Sequence, residues 1–301
     1  MSTTADIISI PEMSGDRRVH VFRRRLTGLE EFKGMEVDAY VIITHRYFIV
    51  LDTLLCPEDM AVVMGEVQDA LAGRQLLVVN SHADWDHSWG NAYFTTQHAA
   101  PILAHEDCRT RLESVEAKTE LADYQRRYSV FQKVVLVPPT LTFSSTMTIH
   151  GGDLTIALIP APGHHSDHIA AWIPELRLLL AFDAVEQPIA IIDTSAGVQP
   201  MFTTLERFLA LEPQRVLCSH SKMTSIALVK ENLAYLRTIE RQSRILLERH
   251  RPTQAELEHA SMLINYPFAE VIAGFSEPID RSFYGWAHDN NVRCILQWLM
   301  S

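Results

Sequence analysis

His82-Ala83-Asp84-Trp85-Asp86-His87 follows almost directly on Leu76-Leu77-Val78-Val79-Asn80. The aliphatic run reads as a buried strand, and two histidines and two aspartates crowd the loop that leaves it. If the chain stays extended past the strand, residues two apart share a face. His82, Asp84 and Asp86 then converge, and a turn at His87 brings its ring in from another side. So dense a group of imidazoles and carboxylates suits a borderline divalent cation. Taken alone, the hexapeptide also reads as a polar surface loop.

The rest of the chain weighs against the plainer reading. Pro160-Ala161-Pro162-Gly163-His164-His165-Ser166-Asp167-His168 follows another aliphatic run, Phe182-Asp183 ends a further one, and Val216-Leu217-Cys218-Ser219-His220 ends yet another. Each sets a metal-ligand residue at a strand terminus, where a rigid sheet positions functional loops. Strands are expected at Val19–Phe22, Val37–Thr44, Tyr47–Leu51, Leu76–Val79, Ile102–Ala104, Met147–His150, Leu154–Ile159, Ile169–Ile173, Leu178–Phe182 and Val216–Cys218. Helical patterns cover Pro57–Leu71, Glu106–Tyr128, Thr203–Leu211, Ser225–His250, Thr253–Ile264 and Asn291–Leu299, with Thr253–Glu256 forming a capping box. Strands and helices intermingle to about residue 220 and helices dominate afterwards. The expectation is an α/β body over 1–222 with a helical extension, 223–301, packed on it.

The bulk figures agree with a globular enzyme. The chain has 301 residues, 47% of them hydrophobic and 21% charged, enough for a large core. A net charge of −11 argues against nucleic acid or anionic membrane as partner. Cys56, Cys108, Cys218 and Cys294 form no C-x-x-C pair, so reduced thiols are expected. The opening residues lack a basic segment followed by an apolar run, and no stretch is long enough to span a bilayer, which points to the cytoplasm.

In order and context these motifs resemble the metallo-β-lactamase superfamily. That family's signature is H-x-H-x-D-H after a strand, then a Pro-Gly-His turn, an Asp at a strand end and a late His. The resemblance covers roughly residues 18–222, and Leu51-Asp52-Thr53 matches the early strand-Asp turn. It implies an αββα sandwich with up to two divalent ions at the edge of its paired sheets, zinc first and manganese or iron as alternatives. One ion would take His82, Asp84 and His164; the other Asp86, His87 and His220; Asp183 would bridge them. Asp52 and His168 would support these ligands by hydrogen bonding. His165 is expected to be exposed, and His98 and His105 structural.

The family's second histidine is Asp84 here. Two divalent ions and one hydroxide leave three positive charges, which Asp84, Asp86 and Asp183 cancel. A formally neutral cluster pulls weakly on anions, so a neutral small-molecule substrate, or a helper Arg or Lys, is expected. The extra carboxylate also makes the site harder and leaves open that the first ion binds weakly.

The resemblance implies hydrolysis by metal-bound hydroxide of an ester, lactone, thioester or amide-like bond, with Asp86 orienting the nucleophile and passing its proton on. No G-x-S-x-G elbow offers a serine route. Two alternatives share the fold: a mononuclear non-haem iron dioxygenase acting on a thiol or persulfide through His82, His164 and Asp183, and a hydrolytic dehalogenase. A binding protein without activity fits poorly with so many ligand residues. Trp85 or Trp89 could wall the pocket. Tyr266, Phe268, Phe283, Tyr284, Trp286 and His288 could cap it, or form a packing layer or homodimer surface.

Overall fold

The computed structural model describes residues 6–32, 34–276 and 278–301. The expectation for the opening residues falls partly on 1–5, which lie outside them. Among the described residues, twelve strands run β1 (Ile7–Ser9), β2 (Val19–Arg25), β3 (Glu36–Ile43), β4 (Tyr47–Leu51), β5 (Gln75–Val79), β6 (Ile102–His105), β7 (Leu141–Phe143), β8 (Met147–His150), β9 (Thr155–Pro160), β10 (Ile169–Ile173), β11 (Leu178–Leu180) and β12 (Arg215–Leu217). The α-helices are α1 (Pro57–Val67), α2 (Trp85–Ser88), α3 (Ala92–Gln97), α4 (Glu106–Glu113), α5 (Val115–Arg127), α6 (Val198–Ala210), α7 (Ala227–Leu247), α8 (Phe268–Val271) and α9 (Arg281–Met300).

One sheet runs β1-β2-β3-β4-β5-β6-β7 and the other β12-β11-β10-β9-β8. The period of two along each strand divides the side chains between layers. In β4, Phe48 and Val50 pack under α1, while Ile49 and Leu51 face the second sheet. Between the sheets Tyr40, Ile42 and Val79 meet Leu158, Ile169 and Leu180. On the outer face of the second sheet, Ala170, Leu179 and Val216 share one apolar cluster with Phe202 of α6, Leu236 of α7 and Ile295 of α9. Helices therefore cover both outer faces, an αββα sandwich with C-terminal helices against its second sheet. No helix among the described residues is long and apolar enough to cross a membrane, and the four cysteines are buried and unpaired.

Several elements differ from the sequence reading for local reasons. The expected Glu106–Tyr128 helix breaks at Ser114, whose ψ of 166° ends α4 and whose hydroxyl caps Ala117 N to start α5. The Thr253–Glu256 capping box is present, with Glu256 N 3.3 Å from Thr253 Oγ1. It opens only a 3-10 turn, Glu256–Met262, interrupted at His259. The last helix starts ten residues earlier than expected, because Asp280 caps Ser282 N and Phe283 N.

Candidate metal centre

The ligand-type residues sit where strands end. Asp52 follows β4, His82 follows β5, His164 follows β9, Asp183 follows β11 and His220 follows β12. Asp52 and Phe182 hold φ of 63° and 47°, a backbone form costly for residues with a Cβ and common at functional sites. Gly163, at φ +143°, lies against α6: an added Cβ would stand 2.6 Å from Met201 Cα. Gly90 is pressed still closer, 1.9 Å from the Thr53 carbonyl oxygen for the same added atom. Only glycine lets the turn after His87 settle on the loop after β4.

The expectation that Asp86 lies on an extended segment is not met. Trp85–Ser88 forms α2, with Asp84 at its N-cap position. His82 and Asp84 do converge, their Nε2 and Oδ2 atoms 3.4 Å apart. Asp86 and His87 are successive residues of the helical turn, Oδ1 3.5 Å from Nε2. From that turn Asp86 also reaches His220, Oδ2 to Nε2 3.4 Å.

Four imidazoles are oriented alike. His87 Nδ1 donates to Asp52 Oδ2 (2.9 Å), His164 Nδ1 to the Ile191 carbonyl (3.1 Å), and His220 Nδ1 to the Glu36 carbonyl (2.7 Å). Ser81 Oγ gives its own proton to Asp52 Oδ2 (2.8 Å), so it accepts from His82 Nδ1 (2.9 Å). In the neutral ring the proton is thereby held on Nδ1 and the lone pair is left on Nε2, the arrangement metal-binding imidazoles need. All four Nε2 atoms point at Asp183 Oδ2: His87 at 3.2 Å, His220 at 3.3 Å, His82 and His164 at 3.8 Å. Nε2 of His82, His87 and His164, and Asp183 Oδ1, are buried without a hydrogen-bond partner. Orphaned polar atoms of this kind are costly unless something binds them. Three sets lie close enough to hold an ion: His82, Asp84 and His164; His82, His87 and Asp183; Asp86, His87 and His220. The residues present therefore fit divalent metal.

Electrostatics in the metal-free chain follow from this crowding. Burial pulls the His220 imidazole down, but Asp183 more than offsets it, leaving it pushed up to about 10. Burial, then neighbouring His87, takes His82 down to about 3. Burial above all pushes the Glu186 carboxyl up to about 7.

Asp84 is not alone with its charge. Its Oδ1 accepts from Arg111 Nη2 (2.7 Å), and Arg111 Nη1 reaches Asp167 Oδ1 (2.6 Å). Asp167 in turn accepts from Ala83 N at 2.8 Å. Arg111 on α4 thus clamps both sides of the ligand loop. His165, expected to be exposed, is instead partly buried between Asp84 Oδ2 (3.1 Å) and Asp193 Oδ2 (3.3 Å). His168 does not touch a ligand imidazole through a hydrogen bond; its Nε2 accepts from Asp183 N at 3.2 Å.

Sequence reasoning missed Arg111, Asp167, Glu186 and the pair Asn290 and Asn291. Asn291 of α9 clamps the loop before α6, donating to Ala190 O (2.8 Å) and accepting from Ile192 N (2.9 Å). Asn290 donates to Ile192 O (2.7 Å). Between those anchors lies Ile191, whose carbonyl holds His164. No pattern in the sequence marks the pair, which sits among His288, Asp289 and Arg293.

The centre opens into a cavity of about 390 Å³. Phe32, Met35, Trp85, Ile191, Phe283 and Trp286 give it apolar walls, with Asp86, Asp183 and His220 among the polar groups at its floor. Trp89 is wholly buried in the core, so of the two tryptophans in question it is Trp85 that walls the cavity. Phe283 and Trp286 bring α9 to its rim, whereas His288 is buried between Tyr235 OH and the Tyr266 carbonyl.

No curated protein matches the sequence. Solved structures do resemble it in fold. A metallo-β-lactamase family protein from Thermus thermophilus aligns with TM-score 0.64 at 15% identity, covering 88% of this chain and 89% of its own. A metallo-β-lactamase from Pontibacter korlensis aligns with TM-score 0.57 at 15% identity, over 76% of this chain and 97% of its own. One from Pseudomonas aeruginosa, in its mono-zinc form, gives 0.55 at 16% identity, over 77% and 94%. The family model for the metallo-β-lactamase superfamily matches residues 33–220, more than half of the chain and nearly all the strand ends described above. This protein belongs to the metallo-β-lactamase superfamily.

Proposed function

We propose that the protein is a metal-dependent hydrolase that cleaves an ester, lactone, thioester or related bond in a small molecule. Membership of the superfamily implies metal-dependent hydrolytic chemistry in general; the bond and substrate are our reading. One observation carries it: four imidazoles, each anchored through Nδ1, turn their Nε2 atoms towards one carboxylate oxygen at the floor of a cavity with apolar walls.

His82, Asp84 and His164 would hold one ion, Asp86, His87 and His220 the other, with Asp183 between them. Bound ions of this class lower the pKa of water to about 7 and so supply a nucleophile at neutral pH. The chain's own residues do the rest. Asp52 fixes His87 through Nδ1 and fixes Ser81 through both N and Oγ (2.6 and 2.8 Å), which keeps the floor rigid. Asp86 lines the cavity from a helical turn, where its carboxylate can orient the attacking water and carry its proton to the leaving group. Phe32, Trp85 and Phe283 exclude bulk water from the reacting bond.

A second reading has its own observation. His82, Asp84 and His164 make a set of two histidines and one carboxylate, which suits mononuclear iron with open positions for oxygen. In this set Asp84, rather than Asp183, supplies the carboxylate beside both imidazoles. Metal analysis and turnover separate the two. Purified protein holding zinc or manganese, hydrolysing activated esters or lactones, losing activity to a chelator and regaining it with the ion, is the expected result. One iron per chain with oxygen uptake on a thiol, and no hydrolysis, overturns it.

A further inference from the structure

The cavity wall holds a carboxylate that neither the metal centre nor the proposed chemistry uses. Glu186 is 2% exposed and lines the cavity beside Asp183 and His220. Its neighbours hold it in place: Asn232 accepts from its N (2.8 Å) and donates to its O (2.9 Å), and Tyr284 OH donates to Oε1 (2.5 Å). Among the described residues no Lys or Arg forms an ion pair with it, and none lines the cavity. Lys222 belongs to the neighbouring hollow, 3.9 Å from Glu36. A buried carboxylate that no guanidinium or ammonium pairs is costly, and this one belongs to the cavity lining.

The same cavity has a continuous aromatic wall. Trp85 and Phe32 are 4.9 Å apart between ring centroids, Phe32 and Phe283 6.1 Å, and Phe283 and Trp286 5.9 Å. The four rings come from three separate stretches of chain. Aromatic faces attract cations, organic ammonium groups above all. Asp193, half exposed, adds a further carboxylate to the lining.

We propose that the substrate carries an organic ammonium group, seated between Glu186 and the aromatic wall of Phe32, Trp85, Phe283 and Trp286. This deepens the hydrolase reading in calling the occupant a substrate; the ammonium subsite rests on the cavity alone. An ammonium there would give Glu186 the cationic partner that no Lys or Arg among the described residues supplies. A neutral molecule would leave it unmatched, and a carboxylate-bearing one would be repelled.

The test compares binding of 2-phenylethylammonium and 2-phenylethanol to the metal-loaded protein by calorimetry at about pH 8, where the amine is charged. The two probes share size and ring and differ in charge. The ammonium should bind at least about tenfold tighter. Glu186→Gln should remove most of that preference and leave phenylethanol binding unchanged. Trp286→Ala, at a position 55% exposed and so safe for folding, should reduce the preference severalfold; it decides the matter should Glu186→Gln fail to fold. Equal binding of the two probes by the unaltered protein, or a preference that survives the substitutions, overturns the proposal. Metal content and ester turnover of the same samples report on the hydrolase reading separately. Ammonium preference without any hydrolysis leaves the subsite standing and removes only that reading.

Discussion

The two halves of the metal centre are built on different electrostatic plans. In the half made by Asp86, His87 and His220, each imidazole leans on one fixed acceptor, Asp52 or the Glu36 carbonyl. Asp86 has no guanidinium or ammonium partner among the described residues; its charge is available to an ion. In the half made by His82, Asp84 and His164, the carboxylate is already engaged. Arg111 takes one oxygen at 2.7 Å and His165 stands 3.1 Å from the other. Asp84 stands at the family's second histidine position and brings a charge that a histidine would not. Arg111 answers it, so a charge count of the cluster must include the guanidinium. The first half is thus braced from outside, by α4, and the second from within the sheet edge. The first ion should therefore bind more weakly and depend more on distant residues.

The largest effect should come from the one residue the halves share. Asp183→Ala removes the oxygen that faces all four Nε2 atoms, and elemental analysis should show loss of both ions, with activity lost as well. Retention of both ions would mean that the halves are independent. Next comes Arg111→Met, which leaves Asp84 and Asp167 without their shared cation. Competition with a chelator should show affinity in the first half lowered by about 10–100-fold and the second half little changed. An equal loss in both halves would erase the distinction.

The halves also differed in how much the sequence disclosed. His82, Asp86 and His87 were legible because ligand-type residues crowd the end of an aliphatic strand, and His164, Asp183 and His220 because each repeats that placement. The sandwich was legible from strands of period two alternating with helical patterns. Arg111 was not, since its value lies in reaching Asp84 and Asp167, 27 and 56 residues away. Nor was the role of His165: the sequence shows a histidine beside a ligand, and only folding sets it between Asp84 and Asp193. Asp86 was assigned to an extended segment because nothing in Trp85-Asp86-His87-Ser88 announces a single helical turn; tertiary packing on Gly90 and Thr53 imposes it.

Asn291 acts on the first half at longer range. Its side chain holds the loop on either side of Ile191, whose carbonyl orients His164. Asn291→Ala should destabilise the fold by about 1–3 kcal/mol, through unmet buried backbone groups, seen as a lower melting temperature. It should also weaken the first ion by about tenfold. Loss of stability with unaltered affinity would limit α9 to a packing role.

A smaller effect concerns protons in the second half. His220 in the metal-free chain is pushed up to about 10, against about 6.5 when unfolded. Its stabilising contribution is complete below about 6.5 and lost as pH rises through about 10. An ion needs the neutral ring, so binding at about pH 8 should release a proton, and affinity should climb across that window as apoprotein stability falls. Calorimetry in buffers of different ionisation enthalpy checks this; no proton release would contradict it.

The two-ion centre is tested by titrating the metal-free protein with zinc against a chromophoric chelator, beside Asp84→Ala. Two ions per chain of unequal affinity are predicted, the variant losing the weaker and keeping the tighter. A chain that takes up no zinc, or a variant that binds both ions as the unaltered protein does, would contradict it.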